Sequence, residues 1–452
     1  MRANQLHTII EDEMKRSAIN FNQLSQLTNI NRGTLSSIFN TNSLKLPSIE
    51  QLDKITEGLK LSPGYYYDLY IEEYFRDFNP HWKKLKPLVY RCLQPQFQKQ
   101  LKHILDLLME SNINLSKLFV FTENWFEEGY REELLLCYKY VIKFEKYNYS
   151  EHTILSRYRI FYIESSNNDF EKDLHAAIEF GTYYGELDAN YRLDALLKLI
   201  NIYFRHHHWD KVLELSKEMN IVSKNVYKRK LHLQKDKNGK MTFSTKRHLL
   251  VYYAQSYLMV ASTLEAQGKY EEAYKKIESY KDLSWFEDLD ELGKMELQKF
   301  RNFAIANELN LLILMGDFEK LSEYIEFLEQ HPDEILPGLI TIILSANKHD
   351  LFLNDYYDWV VEKLDYIEAS NIEDSYYEMI YSLDRLEKLY RQLAIYHFRY
   401  ANYGEGIKYL SKCLAVANQF NKKSEFNEYP ELMNILKEWS LLMERNQKND
   451  HS

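Results

Sequence analysis

The sequence has few of the residues that break regular structure: Gly (13) and Pro (8) are scarce among 452 residues, where they usually make up about 12% together. That scarcity excludes collagen-like, Pro/Gly-rich disordered and turn-dense sandwich chains, and leaves long helices with short joints. Cysteine is scarcer still. Cys92, Cys137 and Cys413 stand far apart in no metal-ligand spacing, which excludes a disulfide scaffold and fits a reducing compartment. Excess positive charge is missing too: 57 Lys and Arg against 67 Asp and Glu give a net charge of −10. Nucleic-acid binding by global charge is excluded, while a small local DNA-reading surface stays open. No run reaches the ~18 apolar residues of a membrane span. The opening MRANQLHTIIEDEMKR turns acidic at once, so the expectation is a cytoplasmic protein with no membrane partner.

Catalytic signatures are absent as well. No glycine-rich phosphate loop, HExxH, GxSxG or cysteine pair at metal spacing occurs. His206, His207 and His208 are adjacent, and neighbours on a helix point about 100° apart, so they cannot readily share an ion. No catalytic residue, metal or cofactor is expected. What the chain does have is an apolar fraction of 45%, with 37 Tyr and 23 Phe, enough for a sizeable core spread over two to four domains.

The first seventy residues read as five short helices. Leu6, Ile9, Ile10 and Met14 put an apolar stripe on the first. Asn20 with Gln23, and Ser48 with Gln51, are capping-box patterns. Asn29 interrupts the run between them at a residue type that tolerates left-handed backbone. Ser62–Pro63 predicts the start of the next helix. Two short helices around a tight turn are the minimal device for laying one helix in a major groove. The second, Asn31 to Phe39, would bury Leu35, Ile38 and Phe39 and offer Asn31, Arg32, Thr34, Ser36 and Ser37. Arg pairs with guanine and Asn with adenine. Gln23 on the bracing helix and Lys45 in the following loop complete the candidate DNA-contact set.

Residues 4–62 resemble the helix-turn-helix domain of the Xre/Cro-like repressors. Ser25 sits where that family prefers alanine and Asn29 where it prefers glycine. LPSIEQLDKITEGLKLSP matches its fourth helix and lead-in. Residues 71–102 then read as a connector. From 103 to 447 the chain reads as helix pairs, clearest in YYAQSYLMVASTLEAQGKYEEAYKKIESYKDL at 252–283, which resembles a tetratricopeptide repeat. Aromatic anchors mark the related joints: Tyr130, Phe170, Trp209, Tyr270, Phe318 and Tyr403. The long interval after Phe318 requires a hidden unit, sought at 353–367. The long interval before Tyr270 holds an insertion, 223–248, read as a flexible basic excursion.

The fold class expected is therefore all-α, an N-terminal Xre/Cro-like helix-turn-helix followed by a right-handed TPR-like α-solenoid. Carrying the repeat pattern along puts Asn201, Arg205, Gln255, Ser262, Asn310 and Arg399 on the concave side, where amides could pair with the backbone of an extended peptide. Together the two halves resemble the RRNPP group of peptide-sensing regulators from Gram-positive bacteria. That resemblance implies a homodimer that binds a double-stranded DNA operator and a short linear signalling peptide; residues 376–447, rich in Tyr and Leu at the last unit of the solenoid, are the candidate dimer contact. Two alternatives stay open: a Rap-like protein-binding or phosphatase regulator of a response regulator, and a TPR interaction scaffold with no peptide ligand.

Overall fold

The computed structural model describes residues 5–39, 46–77, 81–110, 116–144, 150–165, 169–235, 245–287, 289–369 and 376–419. Among these the regular structure is entirely helical, and the chain divides into two compact units between Leu187 and Asp188. The first unit holds α1 (Gln5–Arg16), α2 (Phe21–Thr28), α3 (Arg32–Ile38), α4 (Ile49–Gly58), α5 (Tyr67–Asp77), α6 (Trp82–Cys92), α7 (Gln98–Glu110), α8 (Ser116–Glu127), α9 (Leu135–Phe144), α10 (Glu151–Glu164) and α11 (Phe170–Phe180). The second holds α12 (Ala189–Arg205), α13 (Trp209–Lys235), α14 (Leu249–Ala266), α15 (Tyr270–Lys281), α16 (Glu291–Met315), α17 (Leu321–Gln330), α18 (Ile335–His349), α19 (Tyr357–Ala369), α20 (Tyr376–Arg399) and α21 (Tyr403–Gln419).

Caps set the ends of the first helices, as the sequence led us to expect. Both halves of each capping box are formed, at Asn20/Gln23 and Ser48/Gln51. Asn29 closes α2 in the left-handed region, at φ 55°. Gly58 lets α4 cross α2 closely, since a Cβ there would stand 2.8 Å from Thr28 Cγ2. The helix expected from Pro63 starts later, at Tyr67. Gly64 lies at φ 75° and a Cβ there would meet the Phe97 ring at 2.4 Å, so the chain turns closely over Phe97 before a helix can propagate. The segment read as a connector packs on this domain: the Leu6 N–H donates to the buried Glu73 of α5 at 2.7 Å, and Arg91 of α6 pairs with Asp53 at 3.0 Å.

The second unit is built from five helix pairs, α12/α13 through α20/α21. The first helices touch in series, α12 on α14, α14 on α16, α16 on α18 and α18 on α20, so they form one layer. All five pairs share a joint, that of α18/α19 through Asp350 at φ 53° with the Leu351 N–H returning to the Ala346 carbonyl at 2.9 Å and Phe352 two positions on. In the other four, His207, Gly268, Gly316 and Ala401 all take positive φ, between 56° and 93°. In each, the next residue's N–H returns to a carbonyl five residues back: His208 to Tyr203, Lys269 to Leu264, Asp317 to Leu312 and Asn402 to His397, at 2.8–3.0 Å. This is the Schellman closure, which satisfies carbonyls that a helix end leaves open. The aromatic anchors Trp209, Tyr270, Phe318 and Tyr403 follow the left-handed residue by two positions. The hidden unit is α18 with α19.

One sequence expectation changes. The insertion at 223–248 is not a loop from its first residue: α13 runs unbroken to Lys235, because no Gly or Pro stands between Trp209 and Asn238. Residues 236–244 lie outside the described part, as do 420–447 of the candidate dimer contact. The abundant tyrosines often cross between helices to a carboxylate. Tyr67 reaches Asp53 at 2.6 Å, Tyr138 reaches Glu123 at 2.6 Å, Tyr390 reaches Glu368 at 2.8 Å and Tyr274 reaches Glu308 at 3.0 Å. All three cysteines are buried and free, and burial pushes each thiol up to about 12.

Candidate functional site

Helix α3 sits across a turn whose polar groups are answered locally. Ser25 donates its hydroxyl to the Ile30 carbonyl at 2.5 Å, and Thr28 donates to Leu24 at 2.7 Å and accepts from the Ile30 N–H at 3.3 Å. Serine at 25 therefore ties the turn where an alanine would only pack. With the turn fixed, the faces of α3 separate as the pattern predicted. Leu35, Ile38 and Phe39 are buried, and Asn31, Arg32, Ser36 and Ser37 are exposed, with Thr34 half-buried. Lys45 lies outside the described residues.

Two of the candidate DNA contacts already have tasks within the protein. Asn31 is the N-cap of α3, its Oδ1 accepting the Thr34 N–H at 2.7 Å. Pairing with adenine in bidentate fashion needs both the amide oxygen and the amide nitrogen. The capped Asn31 keeps its nitrogen free as a donor, while its oxygen is already held by the Thr34 N–H and has one lone pair left. Gln23 likewise gives its Oε1 to the Asn20 N–H at 2.8 Å. Arg32, exposed at the N-terminal end of α3, keeps its whole guanidinium fork.

In the second unit the shared register of Asn201, Ser262 and Asn310 is present, each six residues before a left-handed joint residue, His207, Gly268 or Gly316. Their surroundings differ. Asn201 is exposed on α12, while Arg205, Gln255 and Ser262 are half-buried. Asn310 is half-buried and is not a free amide. Its Oδ1 accepts from Tyr324 of α17 at 3.2 Å and from Thr341 of α18, and it also bonds Glu265 of α14. Arg399 is likewise committed: it donates to the Asn347 carbonyl and pairs with Asp350 at 2.9 Å. It thus ties the end of α20 to the end of α18, where a helix carries negative charge.

The sequence reading missed Glu265 and Lys388. Glu265 is the sole charged residue in the eighteen of α14, and that isolation was the available signal. Burial raises its carboxyl above the usual range, while the Asn310 hydrogen bond and the Lys388 charge oppose the rise. Lys388 of α20 is solvent-exposed, yet surrounding protein lowers its ammonium, with Glu265 opposing. Helices α14 and α20 are three steps apart in the layer, and each of the two groups still feels the charge of the other.

Among the described residues no group of three or more His, Cys, Asp or Glu could hold a metal ion, and no helix is long and apolar enough to cross a membrane. The class these features define is an all-helical chain with a helix-turn-helix and a layered array of helix pairs. No protein-family model matches the chain, and no curated protein matches it. Among solved structures it is similar to PlcR of Bacillus thuringiensis, crystallised in complex with the peptide PapR7 and DNA. The two share 14% identity over 79% of this chain and 99% of that one, with a TM-score of 0.25.

Proposed function

We propose that this protein is a transcriptional regulator that reads an operator through α3 and is controlled by a short linear peptide bound along the layer of first helices. The observation that carries the reading is α3 itself: seven residues with an apolar inner face, a polar outer face and a turn tied by Ser25 and Thr28. Arg32 reads the base, and Asn31, Thr34, Ser36, Ser37, Gln23 and Lys45 position the helix. For the peptide, Asn201, Arg205, Gln255 and Ser262 supply the polar contacts, while Asn310 and Arg399 fix the wall they stand on. Glu265 and Lys388 give that wall one charge of each sign. Residues 1–70 form the DNA-binding part and 103–447 the peptide-binding and dimerisation part of a homodimer, since one neutral module reading a few base pairs binds weakly.

Selection of preferred sequences from a random duplex pool, followed by affinity measurement on the selected site, tests the reading. Arg32→Ala should cost roughly 1–3 kcal/mol on the selected site and far less on unselected duplex. Failure of the wild-type chain to select any sequence would overturn it.

A further inference from the structure

The basic segment at 224–248 is not absorbed by the reading above. It carries nine Lys or Arg and one acid, Asp236, in a chain of net charge −10. The helix that starts it is unusually long. Helix α13 has 27 residues, where the second helices of the other pairs have 10 to 17. At about 1.5 Å per residue it exceeds them by roughly 15–25 Å.

The beginning of the extra length is firmly held. Asn220 Nδ2 donates to Ser256 Oγ at 2.9 Å. Lys224 Nζ donates to the Tyr257 hydroxyl at 3.0 Å and lies 5.5 Å from the ring centres of Tyr253 and Tyr257, so its charge is used internally. Tyr227 is buried, accepts the Glu287 N–H at 2.7 Å and packs on Phe286 at 4.2 Å. The next turn is different. Lys228 and Arg229 are exposed, and no acidic partner meets either among the described residues. With Asn225 and His232, also exposed, they share one side of the helix at spacings of three and four. Lys246 and Arg247 return at the base of the segment, but Asp194 lies beside them; among the described residues of the segment, Lys228 and Arg229 are the exposed charges with no acid beside them.

We propose that this turn of α13, centred on Lys228 and Arg229, contacts the phosphates of duplex DNA as a second surface, separate from the base-reading helix. The inference rests on the DNA-binding reading above. Residues 1–70 contain seven basic and seven acidic side chains, so that region can choose bases through α3 while bringing no net charge of its own to neutralise phosphate, the main sequence-independent source of affinity. A rigid helix bearing adjacent Lys and Arg supplies that charge, and Arg can fork two phosphate oxygens. An acidic protein partner fits less well: stable protein interfaces centre on apolar or aromatic anchors, and this side presents Asn, Lys, Arg and His.

The test measures binding of the full-length chain to a random-sequence duplex over a salt series. Replacing both residues, Lys228→Ala with Arg229→Ala, should flatten the log–log salt slope by about two and weaken the selected site and random duplex by the same factor. Asn225→Ala, on the same side of the helix, should leave the slope unchanged. All three residues are exposed, so the helical circular dichroism should match wild type. Suppose the double variant keeps the wild-type slope while Arg32→Ala still lowers affinity for the selected site: the second surface is then wrong and the DNA-binding reading stands. Wild type that binds no duplex removes both. Polyglutamate competing as strongly as DNA at equal charge concentration would assign the surface to an acidic protein and overturn the proposal.

Discussion

The two asparagines that cap α3 and join the solenoid helices show how differently the two regions are built. Asn31 accepts from a backbone amide three residues away. Asn310 accepts from side chains 14 and 31 residues away, on two other helices. In the helix-turn-helix a polar side chain closes its own local turn; in the solenoid it joins separate turns. A local cap is determined by residue type and spacing. A cross-helix node is determined by packing, which depends on every helix pair between its members.

The largest expected effect breaks the node. Asn310→Ala would leave the buried Tyr324 hydroxyl and the Thr341 hydroxyl without their acceptor, at about 1–3 kcal/mol for each group left unpaired. Asn201→Ala, at the same repeat position but exposed, should change stability by no more than about 0.5 kcal/mol. Denaturant unfolding of both variants measures the contrast directly. Equal losses would mean that repeat register alone decides the role, and the distinction between exposed amide and packed node would fall.

A smaller effect separates capping from base reading. Asn31→Ala removes the α3 cap and should cost about 1 kcal/mol of stability, whereas Asn31→Ser retains a capping oxygen and should cost little. Arg32→Ala should leave unfolding nearly unchanged and act on DNA affinity alone. If Asn31→Ser loses as much DNA affinity as Asn31→Ala, with stability kept, the amide nitrogen contacts DNA and Asn31 belongs to the reading set after all.

This contrast also explains what was legible in the sequence. Both capping boxes, the left-handed Asn29 and the inner face of α3 could be read directly, since each depends on residues at most a few positions apart. The solenoid joints were legible for a similar reason: a left-handed residue followed at two positions by an aromatic is a local signature, even where His207 or Ala401 replaces glycine. The course of α13 was not legible because the long interval before Tyr270 pointed to an insertion from 223 on, although no Gly or Pro breaks the helix before Asn238. The commitments of Asn310 and Arg399 could not be seen, because their partners, Thr341 and Asp350, stand on other turns and no local pattern links them. Glu265 and Lys388 escaped for the same reason, since they stand on helices far apart in the sequence.

The smallest expected effect concerns pH, and it again divides the regions. The caps of the helix-turn-helix are amides and hydroxyls that do not titrate, so those contacts should be indifferent to mild acid. The solenoid node contains Glu265, whose carboxyl is raised chiefly by burial. A raised acid holds its proton more tightly in the native chain than in the unfolded one. Its contribution to stability is therefore complete below the ordinary glutamate value of 4.5, and is lost as pH climbs through the raised value. Glu265→Gln cannot titrate, yet its amide oxygen can still accept from Asn310. The variant should be more stable than wild type at neutral pH, and the gap should narrow on acidification. The difference should be modest, because Glu265 is half-exposed and both Asn310 and Lys388 favour its charged form. Melting temperature across a pH series for both chains checks it. Parallel curves would show that Glu265 titrates alike in the folded and unfolded chains, and that burial at the node does not oppose its charge.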